Sequence, residues 1–315
     1  MLTLSQVYIF KDVRFGDQPE RFSPSSFPTA SVKNTSDGFS CIQIDPTKLR
    51  NPPGGQPGYG SPILYDPDTK QSEDCLFLDI YVPKSAFTSG AAKLPVIVWF
   101  YGGAFAFGSK ELKPDLPLYT GRAMLRSTGY NAIFVAGNYR LGAFGWLAGS
   151  YMEKSGLPNA GLYDQALLLQ WVHKYISLVQ GDNSRVSAWG ESAGAGSILH
   201  HLIRENGTED PLFQTALLQS PAFQWQWDNS TDGTLDQVYK TFSSLTECGS
   251  AYDITCLRNV STQDLTQANQ QLFKSYPNTG IFPVGPSIDG RWVQTLPAYA
   301  FANGMPPEIC MPFSR

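Results

Sequence analysis

The feature that most constrains the fold is an uninterrupted apolar run at residues 94–101 (LPVIVWFY), which two glycines follow. A strand that is apolar at every position is typically buried on both faces, as in a parallel sheet covered by helices. Four further segments are predicted to be short strands, at residues 76–82, 132–136, 185–189 and 215–218.

Helical patterns lie between these strands. The 3.6-residue spacing of a helix face is followed by Leu162, Ala166, Leu169, His173 and Ile176. A second helix is predicted over residues 192–203. Strands that alternate with helices predict βαβ units. We therefore expect an α/β fold with a mostly parallel central sheet and helices on both faces.

The segments outside this alternation are predicted to be irregular. Residues 16–70 are rich in Pro, Gly, Ser and Asp, so regular structure is expected to begin near Cys75. After Pro221 the chain becomes polar and the alternation fades. We interpret residues 1–315 as a single domain whose sheet is incomplete at the C-terminal end.

Charge and hydropathy exclude several functions. The 23 basic and 27 acidic residues give a net charge of −4 without a basic cluster, which argues against nucleic acid as a partner. The longest uncharged apolar run, at about residues 94–108, is too short for a transmembrane segment. The start, MLTLSQVYIFKD, has no basic n-region, so no signal peptide is predicted. No motif predicts a cofactor or a metal.

The clearest chemical motif is Gly190-Glu191-Ser192-Ala193-Gly194, a G-x-S-x-G sequence between a predicted strand and a predicted helix. This context is typical of a nucleophile elbow, in which a tight turn exposes the serine hydroxyl at a helix N-terminus. The sequence therefore predicts Ser192 as a catalytic nucleophile. The alternative is a structural Gly-rich turn.

Small residues also follow the apolar strand, in the segment 101–105 (YGGAF). Ester hydrolysis passes through a tetrahedral oxyanion, which backbone N–H donors stabilise when they are fixed in advance. Small residues allow the backbone to approach that oxygen, and the N–H of Ala193 would be a further donor. An ordinary Gly-Gly turn is the alternative.

At this point a family resemblance becomes specific. SEDCLFLDI at 72–80 and GESAGAGS at 190–197 resemble the two signatures of type-B carboxylesterases, the group that holds cholinesterases and several fungal lipases. Segments 101–109, 138–147 and 159–172 follow the family's order, and the resemblance extends over about residues 7–303. It implies an α/β-hydrolase fold and hydrolysis of a small-molecule or lipid ester through an acyl-enzyme on Ser192. It also implies an oxyanion hole at Gly103, Ala104 and Ala193.

The resemblance further implies two disulfides, Cys41–Cys75 and Cys248–Cys256, and leaves Cys310 over. Four N-x-S/T sequons are usable only in a secretory compartment, so a secreted glycoprotein is expected. The candidate glycosylation sites are Asn34, Asn206, Asn229 and Asn259.

Two departures from the family pattern matter. Most relatives have a third glycine where this chain has Ala104, and the alanine N–H is expected to serve if its φ is negative. Cholinesterases carry a tryptophan where this chain has Tyr65, which argues against choline esters.

The catalytic base is the missing part. The sequence has three histidines, His173, His200 and His201. The last two lie eight and nine residues beyond Ser192 on the same predicted helix, roughly 12 Å away at 1.5 Å per residue. All three are predicted to be packing or helix-surface residues.

The triad acid and histidine are therefore expected to be absent, in a chain that is truncated at its C-terminus and short at its N-terminus. Three interpretations stay open: an esterase lineage, an inactive truncated product, and a cholinesterase-like binding protein. The sequence predicts no oligomeric state.

Overall fold

The computed structural model describes residues 6–29, 38–49, 65–111, 120–222, 227–276 and 282–305. Its centre is a six-stranded sheet with the order β1-β4-β6-β5-β7-β8. The strands are β1 (Val7–Arg14), β4 (Phe77–Pro83), β5 (Leu94–Phe100), β6 (Ile133–Gly137), β7 (Gly181–Glu191) and β8 (Thr215–Gln219). Two short strands, β2 (Ser40–Cys41) and β3 (Gln71–Ser72), pair separately.

Strand direction agrees with the predicted mostly parallel sheet. β6, β5, β7 and β8 are parallel to one another, whereas β4 runs antiparallel to both β1 and β6. All five strands that the sequence predicted are present. The α/β class is therefore confirmed.

Helices cover both faces of this sheet. They are α1 (Gly121–Ser127), α2 (Gly142–Trp146), α3 (Ser150–Ser155), α4 (Ala160–Tyr175), α5 (Ala193–Leu202), α6 (Thr234–Leu245), α7 (Ile254–Asn259), α8 (Thr262–Ser275) and α9 (Pro297–Ala302). Both helices predicted by apolar spacing, α4 and α5, are present.

The continuous apolar run of β5 supplies side chains to two separate cores. Ile97 and Trp99 pack into the cluster that includes α6 and α8, and Val96 and Val98 pack into the cluster that includes much of α4 and α5. All four side chains are at least 95% buried. Alternation of side chains along a strand thus places one apolar run in both cores.

Regular structure begins at Val7, so the expectation that it begins near Cys75 was wrong. β1 pairs with β4, but its register shifts between Phe10 and Val13. At this irregularity the Asp12 N–H donates to Asp79 Oδ1 at 2.9 Å. Lys110 Nζ lies 2.8 Å from Asp12 Oδ1 and 2.7 Å from Asp79 Oδ1. The ion pairs allow two carboxylates to be buried beside the strand.

The polar region after Pro221 contains well-formed helices, which the loss of strand alternation concealed. α6 and α8 each bury one face and expose the other. Leu265 and Leu272 on α8 and Phe242 on α6 are almost fully buried in the same cluster. A polar sequence therefore still supplies core residues when they lie on one face of a helix.

Arg21 joins the N-terminal region to the helices near the other end of the described chain. Its guanidinium forms two hydrogen bonds with the Glu73 carboxylate, at 2.8 and 2.7 Å. Its Nη1 also donates to the carbonyl oxygens of Leu257, Arg258 and Val260, at 3.2, 3.0 and 2.5 Å. One side chain thus holds the link between α7 and α8 against a much earlier segment.

The structure forms both disulfides that the resemblance implied. Cys41 and Cys75 are 34 residues apart, and Cys248 and Cys256 are 8 apart. Cys310 lies outside the described residues. No helix in the described part of the chain combines the length and the apolar character needed to cross a membrane.

Candidate active site

Ser192 occupies the turn between β7 and α5, and its backbone is strained. Its φ of 53° and ψ of −119° lie in a region that non-glycine residues rarely adopt. A Cβ at Gly190 would lie 2.6 Å from the carbonyl carbon of Gly194, and a Cβ at Gly194 would lie 2.0 Å from the Phe100 oxygen. Both glycines of the motif are therefore required by close packing, as expected for a nucleophile elbow.

Hydrogen bonds fix this turn to the adjacent segments. The Ser192 N–H donates to the Gln219 carbonyl at the end of β8, at 3.0 Å. The Ser192 carbonyl accepts from the N–H groups of Gly196 and Ala222, each at 2.9 Å. The Ser192 residue is half-buried. The turn is thus rigidly held while the serine keeps partial access to solvent.

The glycine pair after β5 lies directly against this turn. β5 and β7 are parallel neighbours with Phe100 opposite Gly190, so their carboxyl ends meet at one edge. A Cβ at Gly102 would lie 3.0 Å from Ser192 Cβ and 2.6 Å from Glu191 Oε2. The sheet therefore brings together the two motifs that the sequence singled out.

The segment 102–107, which we call the oxyanion loop because the family resemblance implies an oxyanion hole here, turns sharply at Gly103. Its φ is +101°, and an added Cβ would lie 1.9 Å from the Phe107 oxygen. The Gly103 carbonyl accepts from the N–H groups of Ala106 and Phe107, at 2.9 and 3.1 Å. Only a residue without a side chain fits this position.

Ala104 has a φ of +58°, so the condition of a negative φ is not met. Phe105 follows with a φ of +61°. Two successive left-handed residues are needed to complete the turn, and each costs a non-glycine residue about 1–2 kcal/mol. The backbone geometry that a third glycine would adopt easily is here imposed on an alanine.

The three N–H groups that the resemblance implies for an oxyanion hole have no backbone acceptor among the described residues, for two different reasons. Within the residues that the structure describes, no backbone carbonyl accepts from the N–H of Gly103 or Ala104. Ala193 is the first residue of α5, where N–H groups have no partner inside the helix. The helix dipole also favours negative charge at this position.

Residues far away in the sequence support the oxyanion loop, and sequence reasoning missed them. Gln43 Oε1 accepts from the Gly108 N–H at 2.7 Å, and the Ile44 N–H donates to the Ala106 carbonyl at 3.0 Å. Gln43 itself is 5% exposed. No sequence motif signals these contacts, because they join the segment after Cys41 to the loop.

Glu191 is the charged side chain that precedes Ser192 in the motif. It is half-buried, and burial raises the pKa of its carboxyl above the ordinary value. Its Oε2 lies close to Gly102, as described above. A carboxylate is therefore adjacent to the proposed site.

The histidines are packed as predicted. His200 Nδ1 lies 2.8 Å from the Gly196 carbonyl, and His201 Nε2 lies 3.0 Å from Gln165 Oε1. Burial lowers the pKa of His200 to about 4 and the pKa of His201 to about 3. His173 Nε2 lies 2.8 Å from a backbone carbonyl. Each of the three rings is thus hydrogen-bonded to a group other than the Ser192 hydroxyl.

The described segments contain no group of three or more His, Cys, Asp or Glu side chains that could hold a metal ion.

The candidate glycosylation sites differ in their surroundings. Asn206 and Asn259 are exposed, whereas Asn229 is half-buried. Asn229 Nδ2 donates to Glu153 Oε1 at 3.2 Å and to the Ile288 carbonyl at 3.1 Å. Asn34 lies outside the described residues.

Comparison with known proteins decides the family. The family model described as "Carboxylesterase family" matches residues 2–311 of the sequence. The chain belongs to the carboxylesterase family. It is 42% identical over 254 residues to a "Secreted lipase" of Arthroderma benhamiae, covering 79% of this chain and 48% of that protein. It is 32% identical to "Carboxylesterase patB" of Aspergillus clavatus, covering 95% of this chain and 58% of that protein.

Solved structures agree with this membership. The crystal structure of Aspergillus niger EstA is 28% identical, with a TM-score of 0.74 over 98% of this chain and 56% of that chain. A structure titled "PNB esterase" is 28% identical, with a TM-score of 0.75 over 96% of this chain and 58% of that chain. The α/β-hydrolase fold is thereby confirmed. This member of the carboxylesterase family spans about half the length of these relatives.

Proposed function

We propose that this protein hydrolyses carboxylic esters of small molecules or lipids through an acyl-enzyme on Ser192. The observation that carries the proposal is the close approach of Gly102 to the strained turn at Ser192, where an added Cβ would lie 3.0 Å from Ser192 Cβ. A nucleophile and small-residue backbone at one sheet edge support acyl transfer.

The proposed reaction has two stages. The Ser192 Oγ attacks the ester carbonyl as its proton passes to a general base, the carbonyl oxygen becomes an oxyanion, and the N–H groups of Gly103, Ala104 and Ala193 stabilise it. Collapse of this intermediate breaks the bond to the alcohol oxygen, which takes the proton back from the protonated base, and leaves an acyl group on Ser192. Water then gives a proton to the base and attacks the acyl carbon through a second oxyanion, whose collapse returns that proton to Ser192 Oγ and releases the acid. Loss of one such donor typically slows catalysis by about 10²- to 10³-fold.

A serine hydroxyl needs a general base for this attack at neutral pH. The three histidines are engaged elsewhere, and two of them are buried rings with a lowered pKa. The proposal therefore does not assign the general base to any of the three histidines. The rival proposal is an inactive product, and the packing of the histidines favours it.

We further propose one domain over residues 1–315 and a secreted, glycosylated protein. Two disulfides and the likeness to a secreted lipase support secretion. Among the described sequons, the exposed Asn206 and Asn259 are better acceptors than the half-buried Asn229. The amide nitrogen of Asn229 donates two hydrogen bonds, whereas those of Asn206 and Asn259 donate one each.

A fluorophosphonate probe tests the catalytic proposal. The full natural chain, carrying any residues beyond these 315, and the 315-residue chain are each treated with the probe, and the labelled peptide is identified by mass spectrometry. Labelling of Ser192 in the full chain, abolished in Ser192→Ala, is the expected result. A folded full chain that neither takes the label nor hydrolyses p-nitrophenyl esters would refute the esterase proposal. Labelling of the full chain alone would favour the inactive-product alternative for the shorter one.

A further inference from the structure

Two buried tyrosines form a reciprocal contact beside the oxyanion loop. Tyr101 directly precedes the loop, and Tyr139 follows β6, the parallel neighbour of β5. Their rings stack with centroids 4.4 Å apart and planes 18° apart, and neither residue is exposed. The ends of two neighbouring strands are thus joined by side chains at the level of the proposed site.

The hydrogen bonds within this pair are unequal. The Tyr139 hydroxyl donates to the Tyr101 carbonyl at 2.6 Å. The Tyr101 hydroxyl accepts from the Tyr139 N–H at 3.2 Å and donates to the Tyr139 carbonyl at 3.3 Å. The shortest bond therefore acts on the backbone that enters the oxyanion loop.

The Tyr101 carbonyl belongs to the peptide group whose nitrogen is that of Gly102. The next peptide group along the chain carries the N–H of Gly103, a proposed oxyanion donor. Gly102 and Gly103 have no side chains to restrict their backbone rotation, and the loop continues through the left-handed Ala104 and Phe105. The Tyr139 hydroxyl therefore adds, from outside the loop, a hydrogen bond that helps to hold the orientation of these peptide groups.

Burial suits the Tyr139 hydroxyl to this role. It raises the pKa of the hydroxyl well above the ordinary value, and the nearby Tyr101 and Glu191 raise it further. The hydroxyl accordingly stays protonated and remains a donor throughout the pH range in which esterases are assayed. Ring stacking limits its movement.

We infer that Tyr139 is a positioning residue for the oxyanion hole, because its hydroxyl holds the Tyr101–Gly102 peptide group and thereby orients the following N–H of Gly103. This inference rests on the proposed ester hydrolysis. In this inference the Tyr139 hydroxyl acts through its hydrogen bond to the backbone.

The test compares Tyr139→Phe with the wild type in the full natural chain. The variant keeps the stacked ring and removes only the donor. We expect kcat for a p-nitrophenyl ester to fall about tenfold, less than the loss of a whole donor, while KM changes by less than twofold. Inhibition by a trifluoromethyl ketone, which forms an oxyanion on the serine, should weaken in parallel with kcat/KM.

Tyr239→Phe is the control for loss of a buried hydroxyl away from the loop, because Tyr239 is another unexposed tyrosine, packed among the rings of Tyr151 and Tyr252. The Tyr239 hydroxyl has no hydrogen-bond partner within 3.5 Å among the described residues, so the melting temperature of each variant is measured separately to report its effect on folding. A kcat that falls equally in both variants, or that stays within twofold of the wild type in Tyr139→Phe, would overturn the inference. A wild type without activity would instead refute the proposed function, and with it the inference that depends on it.

Discussion

Replacing Gly103 by alanine should inactivate the protein, whereas the same substitution at Gly90 should not. A Cβ at Gly103 would lie 1.9 Å from the Phe107 oxygen, and real Cβ atoms essentially never approach closer than 3.0 Å. The oxyanion loop must therefore move by about 1.1 Å at this point. A further cost of about 1–2 kcal/mol comes from the positive φ.

The expected loss of activity follows from this displacement. A misplacement of about 1 Å in a catalytic geometry costs about 100-fold in rate, and loss of an oxyanion donor costs about 10²- to 10³-fold. We expect kcat/KM of Gly103→Ala to fall by at least about 100-fold. Hydrolysis of p-nitrophenyl esters measures this loss, and circular dichroism verifies that the variant is folded.

Gly90→Ala is the matched control. Gly90 has a φ of +77°, and an added Cβ there would meet no atom within 4 Å. Gly90→Ala also places a non-glycine residue at a positive φ, but its Cβ collides with no atom of the described residues. Its free energy of unfolding should therefore fall by about 1 kcal/mol while its activity is kept. If Gly103→Ala stays within threefold of Gly90→Ala in kcat/KM, the proposed role of the loop is wrong.

Ala104→Gly should stabilise the protein, because the residue already has a φ of +58°. Relief of left-handed strain, offset by the greater freedom of glycine in the unfolded chain, should leave a gain of about 0.5–1 kcal/mol. A lower melting temperature would contradict the strain described for this turn.

Three further predictions concern stability measured by urea denaturation. Burial lowers the pKa of His201 from 6.5 to about 3, so its contribution is complete above pH 6.5 and is lost as the pH falls towards 3. His201→Gln should therefore flatten the pH dependence near pH 5 by about 1.4 kcal/mol per pH unit, and an unchanged slope would argue against a buried neutral ring. Lys110→Met removes the ammonium group that lies 2.7 Å from the fully buried Asp79 carboxylate, so the free energy of unfolding should fall by about 3–5 kcal/mol. Adding Asp79→Asn to the same chain should restore part of this loss. Replacing Cys41 and Cys75 by alanine opens a loop of 34 residues and should lower the free energy of unfolding by about 4 kcal/mol. Replacing Cys248 and Cys256, whose disulfide closes 8 residues, should lower it by about 2.5 kcal/mol, and the reverse order would contradict the chain-entropy argument.

The central strands could be predicted from the sequence because their signal is local. β5 is apolar at every position, because a strand buried on both faces needs apolar residues at successive positions. β1 was missed because Lys11 and Asp12 interrupt its apolar pattern. The buried Asp12 is compensated by Lys110, a residue about a hundred positions away, so no local rule predicts it.

The site was predictable to the same extent. Ser192 and the glycine pair belong to local motifs. The motifs lie next to each other because they follow β7 and β5, which are parallel neighbours in the sheet. The left-handed Ala104 was not predicted, because its conformation is set by the turn that Gly103 and Phe107 close. Tyr139 was not singled out either, since its role depends on a contact across 38 residues.

The contacts of Arg21 can be completed only late in the synthesis of the protein. Its guanidinium receives its last partner, the Thr262 hydroxyl, only after 241 more residues have been synthesised. At about 5–20 residues per second, the ribosome needs roughly 12–50 s to supply that residue. During this interval the N-terminal segment lacks its hydrogen bonds to the segment between α7 and α8. The growing chain must avoid aggregation for the same time. Synonymous codons or chaperones that alter this waiting time should change the yield of folded protein without changing any of its residues.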